Sequence, residues 1–306
     1  MAKRARAIRT RGREIGRDAS KLDIAWARCL PVRTAREGFL AWVLSPIMNL
    51  YTRRRSKRRE VLKRLRGPVV FVANHSSHLD TPVILRALPH RWRSRTAVAA
   101  AADYFYRKRR IAIAVSLIFG TVPIARCGGG AGRDSLDHLD KLMRKRWSVL
   151  MFPEGTRSRD GDLGRLRSGA VLLAARRRVP IVPIAVTGTN DAMPPGRSWP
   201  RRLRSGWRSR RHAVEVTFGD PIIVDDDTDI ESIKDRVHAF FERQRGVVER
   251  VGRRRSEEAA AQPAPPPAPA PVVMEVDGDL VRPAEARLPR IGRERAPDAA
   301  PLERAG

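Results

Sequence analysis

Apolar residues in this chain fall into short unbroken runs separated by polar, glycine-bearing turns. The clearest run is residues 69–73, Val-Val-Phe-Val-Ala, preceded by Gly67-Pro68 and followed by Asn74-His75-Ser76-Ser77-His78-Leu79-Asp80. Five consecutive apolar positions rich in β-branched side chains describe a strand buried on both faces. Thr81-Pro82 then opens an apolar run over 83–88, where proline suits a first helical turn. Further strands are expected over 96–102, 121–126, 148–152, 180–186 and 213–218, the last at a sheet edge. Helices are expected over 23–28, 103–119, 134–146, 169–178 and 229–251, and residues 193–211 read as a surface loop. Such alternation predicts an α/β fold, a single mostly parallel sheet flanked by helices.

Ahead of the sheet, residues 35–66 read as a hairpin-like helical segment bent near Pro46. Its apolar part, 39–51, holds Phe39, Trp42 and Tyr51 and is shorter than the roughly 20 residues a membrane span needs. Residues 111–125, interrupted by Gly120 and Pro123, fall short as well. Aromatic ends and basic flanks suit shallow insertion at a membrane interface, and an ordinary core helix is the alternative. Residues 1–20 are basic and polar, without the apolar core of a secretory signal, and are expected to hold no fixed structure. From about residue 253 the composition turns to Ala, Pro and charge, too little to bury. The domain plan is therefore a basic, membrane-docking segment at 1–66, a catalytic domain at 67–252 and a disordered tail at 253–306.

Charge sharpens this picture. The 306 residues carry 62 Lys plus Arg against 33 Asp plus Glu, a net +29, and residues 1–66 alone hold 20 basic and 5 acidic side chains. Such a field attracts polyanions. The clusters at 53–55 and 57–59 lack the interleaved aromatics of single-strand nucleic-acid binders, which leaves an anionic membrane surface as the favoured partner. Two cysteines, Cys29 and Cys127, make no disulfide framework and suit a reducing compartment.

Chemistry gathers where strands end, the edge at which open α/β sheets place ligands. His75 leaves one strand, and Asp80, five residues on, can fold back on the imidazole. A carboxylate on one ring nitrogen fixes the tautomer and leaves the other free to take a proton. The bland alternative is a helix-capping Asp beside a solvated His. His78 belongs to the turn, and no spacing among the remaining histidines suggests a metal site. A second strand runs into Pro153-Glu154-Gly155-Thr156-Arg157-Ser158, and Arg126 leaves a third beside a glycine-rich loop. A base and two guanidinium groups suit a hydroxyl nucleophile attached to a phosphate.

Four ordered blocks carry a resemblance: Asn74-His75-Ser76-Ser77-His78-Leu79-Asp80, Gly120-Thr121-Val122-Pro123-Ile124-Ala125-Arg126, Phe152-Pro153-Glu154-Gly155-Thr156-Arg157-Ser158 and Val179-Pro180-Ile181-Val182-Pro183-Ile184. Over about 67–220 the chain resembles the glycerolipid acyltransferase family typified by bacterial 1-acylglycerol-3-phosphate acyltransferases. The resemblance implies transfer of a fatty acyl chain from acyl-CoA or acyl carrier protein to a lysolipid hydroxyl, with no metal or bound cofactor. It implies His75 as general base, Asp80 as its orienting partner, and Arg126, Glu154, Gly155, Thr156 and Arg157 as the acceptor site. Backbone N–H groups near Gly155 are expected at the oxyanion. It also implies N-terminal helices that dock on the membrane, and hence a place on the cytoplasmic face of the cell membrane. Two departures touch the acceptor: Ala101-Ala102-Asp103 stands where members often carry a Lys, and Arg167 where another Lys is common. Lysophosphatidate is therefore the first acceptor, with other lysophospholipids, glycerol phosphate or an amino-acid lipid behind it. An inert basic membrane- or nucleic-acid-binding protein is the reading from a different class.

Overall fold

The computed structural model describes residues 19–127, 130–131, 133–155, 163–197, 199–205, 208–225 and 229–261. Its centre is a seven-stranded sheet. In chain order the strands are β1 (Thr52–Lys57), β2 (Val70–Ala73), β3 (Thr96–Ala101), β4 (Thr121–Ile124), β5 (Ser148–Met151), β6 (Ile181–Thr187) and β7 (His212–Phe218). In space they run β1-β7-β6-β2-β5-β3-β4. Pairing is parallel from β6 through β2, β5 and β3 to β4, whereas β7 runs antiparallel to β6 and β1 lies parallel to β7.

Alternation along β2 divides the core. Val70 and Val72 face one layer with Val149 and Met151 of β5. Above them pack Leu139 and Met143 of α7 (Arg133–Arg144), Leu173 of α8 (Gly169–Arg177), and Val237 and Phe241 of α10 (Ile230–Ala261). Phe71 and Ala73 face the other layer with Val182, Ile184 and Val216. There the cover is α3 (Asp80–Ala87), which supplies Val83, Ile84 and Leu85, together with Leu62, Met48 and Trp92 of α4 (His90–Arg93). Helices on both faces explain why these strands read as solid apolar runs.

Several expectations change, and the loop expected over 193–211 holds a short antiparallel pair, Leu203–Ser205 with Arg208–Arg210. The helical segment drawn to residue 66 stops at Tyr51, because Thr52–Lys57 pairs along its whole length with β7. Only Thr52 of that strand is buried, so it has no apolar alternation, and its arginines and lysine blunt an open sheet edge. The strand at 213–218 is consequently one place in from the edge. The helix expected over 103–119 is broken into α5 (Ala102–Phe105) and α6 (Arg109–Phe119). Between them Tyr106 turns inward, its hydroxyl 3.0 Å from Ser116 Oγ and 2.9 Å from Thr121 Oγ1. At the C-terminal end, α10 continues through residues 253–261 of the expected tail. The rest of that tail and residues 1–18 of the basic arm lie outside the described residues.

The N-terminal helix is one continuous rod: α1 (Leu30–Gly38), a π-helical turn (Phe39–Leu44) and α2 (Ser45–Tyr51). Pro46 stands in the first turn of α2, so its missing N–H is absorbed by the widened turn before it, not by a hairpin-like bend. Arg36 fastens the rod to the sheet domain. Its guanidinium is buried and donates to the carbonyls of Ala27, Ser116 and Leu117 at 2.6–2.8 Å, and desolvation brings its pKa down to about 10.

Candidate active site

The parallel strands deliver their carboxyl ends to one edge, and the side chains there continue the sheet by other means. Just past β2, the Asn74 amide takes the place of a peptide: Nδ2 donates to Val186 O (2.8 Å) and Oδ1 accepts from Val186 N (2.7 Å). The turn that follows returns through Ser77, whose buried Oγ donates to Met193 O at 2.7 Å, and ends at Asp80 in the first turn of α3.

Asp80 is fully buried and receives four donors. Oδ2 accepts from His75 Nδ1 (2.9 Å), Ser76 N (2.7 Å) and Ser77 N (2.8 Å), and Oδ1 accepts from Thr189 Oγ1 (2.5 Å). With the carboxylate so placed, the hydrogen-bond network assigns a proton to Nδ1 of His75 and leaves Nε2 outside that bond. The imidazole is stacked on Phe152, centroids 4.2 Å apart and 27° from parallel, with its side chain 20% exposed. An imidazole oriented through one ring nitrogen, with the other turned away from that bond, has the arrangement a general base needs.

From β5 the chain passes through Phe152 and Pro153 to Glu154. This carboxylate is buried and accepts from His75 N (2.8 Å) and Gly164 N (3.2 Å). Burial pushes its pKa above 4.5; the two N–H groups and His75 pull it back, and the nearby Asp80 charge raises it further. Gly155 follows at φ +71°, and a Cβ there would lie 2.6 Å from Arg167 Nε. The left-handed backbone favours glycine here, and its missing side chain lets the Arg167 guanidinium approach closely. The Gly155 N–H is donated to Phe152 O at 3.1 Å within the turn.

Beside His75 opens a cavity of about 500 Å³. Its walls are mainly apolar, with Val98, Ala100, Val115, Phe119, Ile124 and Phe152 among them. Polar groups reach it from His75, His78, Thr81, Thr121 and Arg167. Ala101, which opens the Ala101-Ala102-Asp103 stretch, lines the same wall.

Of the residues singled out in the sequence, His75, Asp80, Glu154 and Gly155 come together here. Arg126 begins a short ribbon, Arg126–Cys127 paired with Gly130–Ala131, but its side chain lies outside the described atoms, as do Thr156 and Arg157 entirely. Two further residues enter the site: Thr189, which the sequence reading passes over, and Arg167, which it names only as a departure from a common Lys. Thr189 follows Gly188, whose φ of +79° and 2.0 Å clearance between a notional Cβ and Ala213 O exclude any side chain. Arg167 is the one described cation on the cavity wall, its Nε donating to Glu154 O at 3.3 Å. Thr189 carried a usable signal: it too follows directly on the carboxyl end of a buried strand.

The site is thus an open α/β sheet with a histidine–carboxylate pair at its carboxyl edge, set beside a mainly apolar cavity. Residues 50–187 match the family model described as Acyltransferase. The chain is 38% identical over 130 residues to a chloroplastic 1-acyl-sn-glycerol-3-phosphate acyltransferase of Brassica napus, covering 42% of this chain and 36% of that one. It is 37% identical over 130 residues to one from Arabidopsis thaliana (42% and 34%), and 26% identical over 162 residues to a probable one from Mycoplasma pneumoniae (50% and 56%). The crystal structure of the 1-acyl-sn-glycerophosphate acyltransferase PlsC from Thermotoga maritima superposes with a TM-score of 0.49 at 19% identity, over 70% of this chain and 77% of that one. Over residues 50–187 the chain is therefore similar to acyltransferases. It spans about a third of the length of the plant relatives.

Proposed function

We propose that this protein transfers a fatty acyl group from an acyl thioester, acyl-CoA or acyl carrier protein, to the free hydroxyl of a lysolipid, with 1-acylglycerol-3-phosphate as first acceptor and phosphatidic acid as product. The observation that carries the reading is the His75–Asp80 pair beside a cavity with apolar walls and a guanidinium. His75 Nε2 takes the hydroxyl proton as that oxygen attacks the thioester carbonyl, and Asp80 stabilises the imidazolium. Collapse of the tetrahedral intermediate expels the thiolate, which takes the proton back from Nε2 and leaves as free thiol. The acyl chain occupies the cavity, and Arg167 joins Arg126 and Arg157 as a phosphate ligand.

The acceptor and product are lipids, and the N-terminal rod offers the means to reach them. Phe39, Trp42, Val43 and Leu50 are exposed, Trp42 by 84%. Immediately after them come the arginines of β1. An exposed apolar face followed by basic charge supports peripheral docking on an anionic membrane surface. Among the described residues no helix is long and apolar enough to cross a membrane.

The deciding assay is thiol release from acyl-CoA, then from acyl carrier protein thioesters, by wild type and His75→Ala. Acceptors are lysophosphatidate, glycerol phosphate and neutral lysolipids. Release that needs lysophosphatidate and falls by about 10²–10⁴ in the variant supports the proposal. A different preferred acceptor corrects the substrate alone. Silence with every donor and acceptor overturns the enzymatic reading in favour of an inert binding protein.

A further inference from the structure

We infer that Glu154 is a positioning residue for His75 and not a ligand of the acceptor, an inference that rests on the acyltransferase reading of the site. β2 and β5 are parallel neighbours with Val72 opposite Met151. His75 and Glu154 each stand three residues beyond that pair, so they face one another where the backbone ladder has ended. The carboxylate bridges the widened gap: Oε1 accepts the His75 N–H at 2.8 Å and Oε2 the Gly164 N–H at 3.2 Å. Both oxygens are therefore engaged with backbone from two different loops. The side chain is 6% exposed, and the cavity is walled by Pro153 and Gly155 on either side of it without Glu154 itself.

On the opposite side, Asn74 ties the residue before His75 to β6. The base is thus held at its backbone from both neighbouring strands and at its ring by Asp80. A carboxylate is acceptor-only when ionised and can satisfy two N–H groups at once. Glutamine, of the same shape, can satisfy only one and turns an N–H against the other. Movement of the base by about 1 Å is enough to cost ~10²-fold in rate.

The test is Glu154→Gln in the full chain, assayed with the acceptor that wild type prefers, alongside residue-resolved amide hydrogen exchange of both proteins without lipid. The expected result is a fall in kcat of about 10- to 100-fold with the acceptor KM changed less than about twofold. The His75 amide should be protected in wild type and lose protection in the variant while the β2 amides keep theirs. A raised KM at unchanged kcat would make Glu154 an acceptor ligand and overturn the inference, as would unchanged kinetics. An unprotected His75 amide in wild type overturns it without reference to any variant. If wild type transfers no acyl group, the acyltransferase reading fails, and the exchange result still decides whether the bracket exists.

Discussion

Thr189 supports the second oxygen of Asp80 through a 2.5 Å hydrogen bond from its hydroxyl, and its own Oγ1 lies 3.2 Å from Ser76 Oγ. A hydrogen bond to a charged group is worth about 1.5–3 kcal/mol. Thr189→Val keeps the shape and removes the donor, leaving Oδ1 of the buried Asp80 without that hydrogen bond while Oδ2 keeps its three. We expect kcat to fall about tenfold or more at an unchanged acceptor KM, with Thr189→Ser near wild type, in the thiol-release assay. Glu154 makes a further prediction through its proton. Its native pKa is raised above the 4.5 of the unfolded chain, so its contribution to stability is fully present below 4.5 and is lost as pH rises through the native value. Thermal melts of wild type and Glu154→Gln across about pH 4–7 should show the wild type losing ground relative to the variant as pH rises. At this scale the sequence discloses what is local. His75 and Asp80 are five residues apart and meet as their spacing suggests. Thr189 lies 109 residues beyond Asp80 and is brought to it only by β6 taking its place beside β2. Glu154 was visible as a carboxylate beside glycine, but nothing in the order of residues tells which way it faces.

Among the elements, the rod from Leu30 to Tyr51 sets the clearest physical conflict. In a chain of net charge +29, its exposed side carries Leu30, Phe39, Trp42, Val43 and Leu50. Trp42, at 84% exposure, contributes little to the fold and much to any apolar surface the rod meets. Burying a large apolar side chain is worth about 1.5–3 kcal/mol, so Trp42→Ser should weaken binding to phosphatidylglycerol-containing vesicles about tenfold or more. Its melting temperature should stay that of wild type. Added salt should weaken both proteins alike, because the basic side chains of β1 are untouched. Sedimentation with vesicles at two salt concentrations measures each effect. Equal binding of Trp42→Ser and wild type would place the docking surface elsewhere. The apolar content of this rod was legible in the sequence; the end of the rod was not. Thr52–Lys57 has no apolar alternation because nearly all of it faces water, and its strand character comes from pairing with β7, 160 residues later in the chain at Thr52↔His212. Lys57 also reaches across to Glu215 at 2.9 Å, a link that local pattern cannot reveal.

For the molecule as a whole, parallel strand direction is what turns separated motifs into one site. β2, β5 and β6 share a direction and adjoin in the sheet, so the residues after each, His75, Glu154 and Thr189, arrive on one edge. That much of the plan follows from alternating strands and helices. The reversal of β7 and β1 does not, since a polar edge strand leaves no periodic trace. It also ties residues that read as a separate docking segment into the sheet domain. Met48 and Leu62 pack with Phe71 and Val216 in one apolar layer, and Arg36 caps carbonyls at the end of α6. Removing residues 1–66 would therefore bare the β7 edge, empty core positions that include those of Met48 and Leu62, and orphan the Ser116 and Leu117 carbonyls that Arg36 serves. Losing a buried Leu or Met alone costs about 2–5 kcal/mol, a large share of the ~5–15 kcal/mol that holds a domain together. We expect that truncation to be insoluble or to melt far below wild type, while removal of residues 1–18 alone leaves the melting temperature unchanged. Expression, melting and vesicle binding of the two truncations measure this directly. A soluble 67–306 fragment that melts with wild type and has merely lost membrane binding would show the first 66 residues to be a detachable anchor; an unfolded one makes docking and catalysis properties of a single packed unit.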